Sequence, residues 1–215
     1  MIPLRDVIPS RTTPWVTLFL IAVNAVVFAT MAVLSEEHRR EIIGEYGLLP
    51  GRWSWMTATT SMFVHAGSLH VAGNLAALWL FGENVEDRFG HVRYLAFYAA
   101  LGYVAGLAEL WAAPNGTAPL VGASGAIAGI MGAYLVMFPR SRLLVAVPTG
   151  VPPDLAEVPA FTFAAGWFLL HVAAGLGRPW GGTTLVALFA GTAVGVAATA
   201  FLRRPERQRV EWWAQ

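Results

Sequence analysis

Long apolar runs, cut by short clusters of charge, proline and glycine, dominate the hydropathy pattern of this chain. A helix that crosses a bilayer needs roughly 20 mostly apolar residues. Apolar windows predict six such helices: Trp15–Leu34, Leu69–Phe81 extended through Val85, Val92–Ala113, Leu120–Phe138, Val158–Leu176 and Gly182–Leu202. In numbers the spans are 15–34, 69–85, 92–113, 120–138, 158–176 and 182–202, within a single domain over 1–215. The long segment between the first two, Ser35 to Met62, opens with SEEHRREIIGEYG, polar enough for a solvated helix that carries His38. Its WSWM stretch suits the headgroup layer. The predicted class is therefore all-α, a polytopic bundle of six transmembrane helices with the lipid bilayer as its surroundings.

Composition agrees. Of 215 residues 56% are hydrophobic and 13% charged, about half the charged share of an ordinary soluble domain. There is no cysteine, which excludes disulfides and thiolate chemistry. All fourteen basic residues are arginine, and a net charge of +1 gives no footprint for nucleic acid. The N-terminal MIPLRDVIPSRTTPW lacks the layout of a cleaved signal peptide, so the first apolar segment is expected to stay.

The arginines also orient the bundle. Ten lie on one side of the predicted spans: Arg5, Arg11, Arg88, Arg93, Arg140, Arg142, Arg203, Arg204, Arg207 and Arg209. The other four, Arg39, Arg40, Arg52 and Arg178, lie opposite. The positive-inside rule then puts both termini in the cytoplasm of a multi-pass protein of the cell (inner) membrane. Trp15, Trp180, Trp212 and Trp213 fall near the expected interfaces.

Polar residues inside such spans are costly and are candidates for function. His70 and Asn74, four apart, share one helix face, and His65 precedes them in the loop entering that helix. Ser124 lies near the start of the fourth helix, four or five residues in, at the depth of His70 and Asn74. Two readings remain open. In one, Ser124 is a small packing residue beside Gly125, Gly129 and Gly132, which face Gly191 and Gly195 of the sixth helix, while His70 and Asn74 are interhelical hydrogen-bond partners. In the other, Ser124 is a nucleophile at a helix N-terminus, with an imidazole and a carboxamide as donors for an oxyanion.

The stretch HAGSLHVAGN, with His65, His70 and Asn74, and GASG at Gly122–Gly125 resemble the rhomboid family of intramembrane serine proteases. FGENVEDRFGHVRY and the N-terminal IPLRD…PSRTTPWVT extend the likeness, in its bacterial form, over nearly the whole chain. The resemblance implies a six-helix fold and Ser124 as nucleophile. Its backbone N–H, His70 and Asn74 would be the oxyanion donors, with His65, Gly122 and Gly125 in support.

One element departs from the family. Rhomboids pair the serine with a histidine on the sixth helix, in an AHxxG stretch. Here GGTTLVALFAGTAVG, Gly181–Gly195, aligns Leu188 with that histidine, and no histidine follows His171. Leucine accepts no proton, and a serine hydroxyl is a weak nucleophile without a base. The expectation is a non-catalytic rhomboid-like pseudoprotease that binds the transmembrane helix of a substrate or partner protein, as a complex subunit or chaperone-like factor. The alternative is an active endopeptidase that uses Ser124 with another base. His171, at similar depth on the fifth helix, is the candidate, although the family's fifth helix lines the lateral opening and lies away from the serine. His91 and Glu86 sit at the far boundary, and Glu109 near the outer interface. A pocket between the second and fifth helices, lined partly by Trp79 and Trp167, is the expected docking place. Two clustered histidines are too few for a metal, so no metal and no other cofactor is expected. No internal repeat or set of midplane charges suggests a transporter.

Overall fold

The computed structural model describes residues 2–150, 152–175 and 181–202. Leu176, Arg178, Trp180, Arg203, Arg204, Arg207, Arg209, Trp212 and Trp213, all used above, lie outside the described residues. In chain order come β1 (Ile2–Asp6), α1 (Trp15–Ala32), α2 (Glu36–Tyr46) and α3 (Trp55–Thr60). Next are α4 (Ser68–Ala77), α5 (Glu83–Phe89), α6 (His91–Ala112) and α7 (Ser124–Met137). The chain continues through β2 (Arg142–Val147), β3 (Asp154–Pro159), α8 (Ala160–Gly175) and α9 (Gly181–Leu202). The architecture is a polytopic membrane bundle of helices with one small sheet. Three helices, Trp15–Ala32, His91–Ala112 and Thr184–Leu202, are long and apolar enough to cross a membrane. Ser124–Met137 and Ala160–Gly175 are shorter apolar helices.

The short second span is longer than expected. A five-residue π-helical turn, Leu78–Gly82, joins α4 to α5 without a break, so helical residues run from 68 to 89, roughly 33 Å at 1.5 Å per residue. Such π-turns insert one residue into an α-helix and often mark functional helices. The solvated helix expected after Ser35 is α2, whose N-cap Ser35 accepts from the His38 N–H while Glu36 and Glu37 fill the first turn.

At the centre stands α7, with every residue from Ser124 to Tyr134 buried. Helix α9 lies against it because glycines meet glycines. A Cβ on Gly191 would come within 2.0 Å of the Gly125 carbonyl oxygen, and one on Gly195 within 2.0 Å of that of Gly129. Where both sides of a helix crossing are small, backbones approach closely. Gly191→Val is therefore expected to lower the thermal midpoint of the detergent-solubilised protein, since overpacking costs about 1–3 kcal/mol and the clash here is with backbone.

The sheet was not expected from the sequence. Its order is β1-β2-β3, all antiparallel, with Arg142 opposite Pro159, Val147 opposite Asp154, and Asp6 opposite Leu143. Leu143 and Val145 point into the core, so the link between α7 and α8 is packed and not a free loop.

At the same end, α5 fastens the N-terminal segment. Pro14, at the N-cap of α1, offers no side-chain cap. The fully buried Glu86 supplies one from across the bundle, accepting from Val16 N–H (2.9 Å), Thr17 N–H (2.8 Å) and the Thr17 hydroxyl (2.7 Å), with His91 Nδ1 at 2.5 Å. A carboxylate at a helix N-terminus satisfies orphan donors and opposes the helix dipole. Next to it, Asp87 accepts from Arg11 N–H and the Thr12 hydroxyl. Glu86 and His91 thus have a structural task at this boundary.

Asp6 of β1 accepts from Asn84 Nδ2 (2.9 Å), from the Tyr134 hydroxyl and from Ile8 N–H. Burial, with Glu83 nearby, outweighs these bonds and pushes its carboxyl up to about 6. For an acid raised in the folded state, the stabilising contribution is complete below the unfolded value near 4 and is lost as pH rises through about 6. Thermal midpoints should fall between pH 4 and 6.5, and Asp6→Asn should flatten that part of the profile. An unchanged slope in the variant would assign the dependence to other groups.

Candidate functional site

Two histidines, His70 of α4 and His171 of α8, line one cavity with the start of α7, and a third, His65, packs behind His70. His65, in the loop before α4, is buried, and burial pushes its imidazole down to about 4. The neutral ring donates from Nδ1 to the Phe63 carbonyl (3.2 Å), which leaves Nε2 to accept from Asn74 Nδ2 at 2.9 Å. His65 therefore holds Asn74 in place. Asn74 is itself buried and does not line the cavity described below, and its Oδ1 has no hydrogen-bond partner among the described residues.

His70, one turn into α4, stacks edge-on against His65 (5.0 Å between centroids) and against His171 of α8 (5.5 Å). Its ring lies on Gly122. A Cβ at that position would fall 2.5 Å from His70 Cε1 and 2.8 Å from Nε2, and the backbone φ of +112° is one that side-chain-bearing residues rarely adopt. Gly122 N–H is anchored to the Ser61 carbonyl at 2.8 Å. The first glycine of GASG is thus the seat of His70.

Ser124 is the first residue of α7 and not an interior one, as the longer window had suggested. The helix starts late because Ala123 serves as N-cap, with φ −83° and ψ 0° and no side-chain hydrogen bond. The α7 N-terminus therefore ends at the serine without a side-chain cap. Ser124, Gly125 and Ala126 line a cavity of about 620 Å³, shared with His70, His171 and Glu109. Free N–H groups and the positive end of the helix dipole favour negative charge at such a position.

Position 188 gives the cavity nothing. Leu188 is fully buried and belongs to the apolar core, whereas its neighbour Ala187 reaches the cavity wall. It sits one turn before Gly191, which lies against Gly125, so it is level with the start of α7.

Helix α8 touches α7, and His171 lines the same cavity as Ser124. Its Nδ1 lies 2.9 Å from the Trp167 carbonyl, one turn back on α8, and its ring packs on the Trp167 indole at 3.9 Å. The carbonyl can only accept, so Nδ1 carries the proton and Nε2 carries the lone pair. That Nε2 is buried and has no hydrogen-bond partner among the described residues.

The expected pocket between the second and fifth helices takes a different form. Trp167 is buried and donates its indole N–H to the Gly73 carbonyl (3.1 Å), closing α8 onto α4. Trp79 is about half exposed and bonds the Leu4 carbonyl of β1. The two tryptophans therefore do not line one opening. Glu109 accepts from the Thr184 hydroxyl at 3.4 Å, bridging α6 and α9 at the cavity wall. Among the described residues no group of three or more His, Asp or Glu is arranged to hold a metal ion.

Residues 52–205 match the Rhomboid domain. The chain is similar to Rhomboid protease GluP of Bacillus subtilis, 30% identical over 144 residues, which cover 64% of this chain and 28% of that protein. It is also similar to Rhomboid protein 1, mitochondrial, of Saccharomyces cerevisiae, 29% identical over 154 residues, 69% of this chain and 42% of the relative. The human presenilin-associated rhomboid-like protein, mitochondrial, is 29% identical over 108 residues, 49% of this chain and 26% of its own length. The chain spans less than half the length of each of these three relatives.

Proposed function

The chain belongs to the rhomboid family of integral membrane proteins, and we propose that it is an intramembrane serine endopeptidase in which Ser124 attacks a peptide bond of a transmembrane segment. Ser124 Oγ adds to the carbonyl carbon and passes its proton to a base. The oxyanion is held by the N–H groups at the start of α7 and by His70, with His65 and Asn74 bracing that side. The base returns the proton to the leaving amine, and water then hydrolyses the acyl-serine. Both termini are proposed to lie in the cytoplasm and the cavity to open toward the outer side, on the arginine count.

The observation that carries this reading is the uncapped α7 N-terminus at Ser124, facing a cavity it shares with two imidazoles. Buried polar groups within a membrane cost stability unless they have partners or a task. An apolar groove would suffice to hold a helix. The test is incubation of the purified full chain in mild detergent with a serine-directed fluorophosphonate and with a transmembrane-segment substrate, Ser124→Ala being the control. Labelling and cleavage that both vanish in the control support the proposal.

A second reading is favoured by Leu188. In it the chain is the non-catalytic pseudoprotease, which binds transmembrane segments or serves as a subunit of a membrane complex. This reading expects stable co-purification of a partner with no adduct at Ser124.

A further inference from the structure

We infer that His171, on α8, is the proton acceptor for Ser124, so that the base comes from α8 and not from α9. This rests on the endopeptidase reading above. Four observations converge. His171 and Ser124 line one cavity. The Trp167 carbonyl holds Nδ1–H and so leaves the lone pair on Nε2. That atom is buried without a partner among the described residues, and the donor it lacks is what a serine hydroxyl supplies. Trp167, clamped to Gly73 of α4, packs on the ring and fixes its plane.

The other candidates are engaged elsewhere. His65 has both ring nitrogens committed, to Phe63 and Asn74. Glu86 and His91 belong to the α1 cap at the opposite end. Leu188 has no basic atom. His70 lies against Gly122 and edge-on to His171. The proton balance closes. Ser124 O–H gives its proton to Nε2 as the Oγ–C bond forms, and the imidazolium returns it to the amide nitrogen as the C–N bond breaks. Water then repeats the cycle on the ester.

The Nδ1–Trp167 bond has a role analogous to that of a triad carboxylate, since a backbone carbonyl fixes the tautomer. It supplies less charge stabilisation, so turnover by this base should be slow.

The experiment compares fluorophosphonate labelling rates of the full-length protein with those of His171→Ala and His171→Gln, across pH 5 to 9. General base catalysis is worth about 10²–10⁴-fold, and both variants should lose a factor in that range. The wild-type rate should rise through one ionisation with increasing pH, and that step should be missing from both variants. Gln keeps size and hydrogen bonding, so it separates the chemistry from a packing defect, and thermal unfolding of each variant checks the fold. Wild-type labelling with undiminished rates and an intact pH step in both variants would overturn the inference while leaving the endopeptidase reading standing. A wild-type protein no more reactive than Ser124→Ala would overturn both.

Discussion

Ser124→Ala is expected to abolish cleavage of a transmembrane substrate and labelling by a fluorophosphonate, with little change in thermal stability. The loss should be at least 10³-fold, because removing the nucleophile of a serine hydrolase leaves only what the oxyanion site and binding provide. The fold should tolerate it well. Ser124 makes no side-chain cap for α7, and Ala at the first helical position is a good helix former. A variant that loses activity together with its thermal midpoint would make the serine structural. A variant that still cleaves would put the nucleophile elsewhere.

The second large effect is a rescue. In a His171→Ala background, Leu188→His should raise the labelling rate at least tenfold. Position 188 is level with the α7 start and one turn from the glycine contact that holds α9 against α7, so an imidazole there would stand beside the serine end of that helix. General base catalysis makes 10²-fold attainable. The site is fully buried among apolar side chains, and a polar group there costs about 1–3 kcal/mol if left unpaired, so the double variant should be less stable while more reactive. Reactivity that stays at the His171→Ala level in a folded double variant would show that the α7–α9 register differs from the one described.

The nearness of His70 to Ser124 was legible in the sequence because both are polar residues that a membrane span tolerates only at a cost, whereas Asn74, expected beside them as an oxyanion donor, is turned away from the cavity and held by His65. The glycine faces of α7 and α9 were legible for the same reason, since four-residue periods of small residues are visible in any apolar run. The sheet was not. β2 and β3 are six residues each, and β1 pairs with a strand more than 130 positions away. Such short segments contain no long apolar window. The start of α7 was misjudged because Leu120–Ala123 are apolar but not helical. There Gly122 needs a positive φ and is tied to Ser61.

Glu86 illustrates a different limit. Its charge marked a membrane boundary, but its function is set by a helix N-terminus seventy residues earlier that lacks its own cap. The residues FGENVEDRFGHVRY and PSRTTPWVT are thus two halves of one contact. For His171, the four-residue spacing to Trp167 that carries its Nδ1 bond is visible in the sequence, whereas the cavity it shares with Ser124 arises only from the packing of α8.

Ser124 is proposed to be chemically activated although α9 carries no basic side chain. The most direct measurement is mass-spectrometric mapping of the fluorophosphonate adduct on wild-type protein, purified in mild detergent at pH 8 and shown to be folded. The expected result is an adduct on Ser124 that forms at least about 10²-fold faster than on any other hydroxyl of the chain. Unmodified Ser124 in a folded protein, after exposure that saturates an active serine hydrolase, would contradict it and leave the non-catalytic reading in its place.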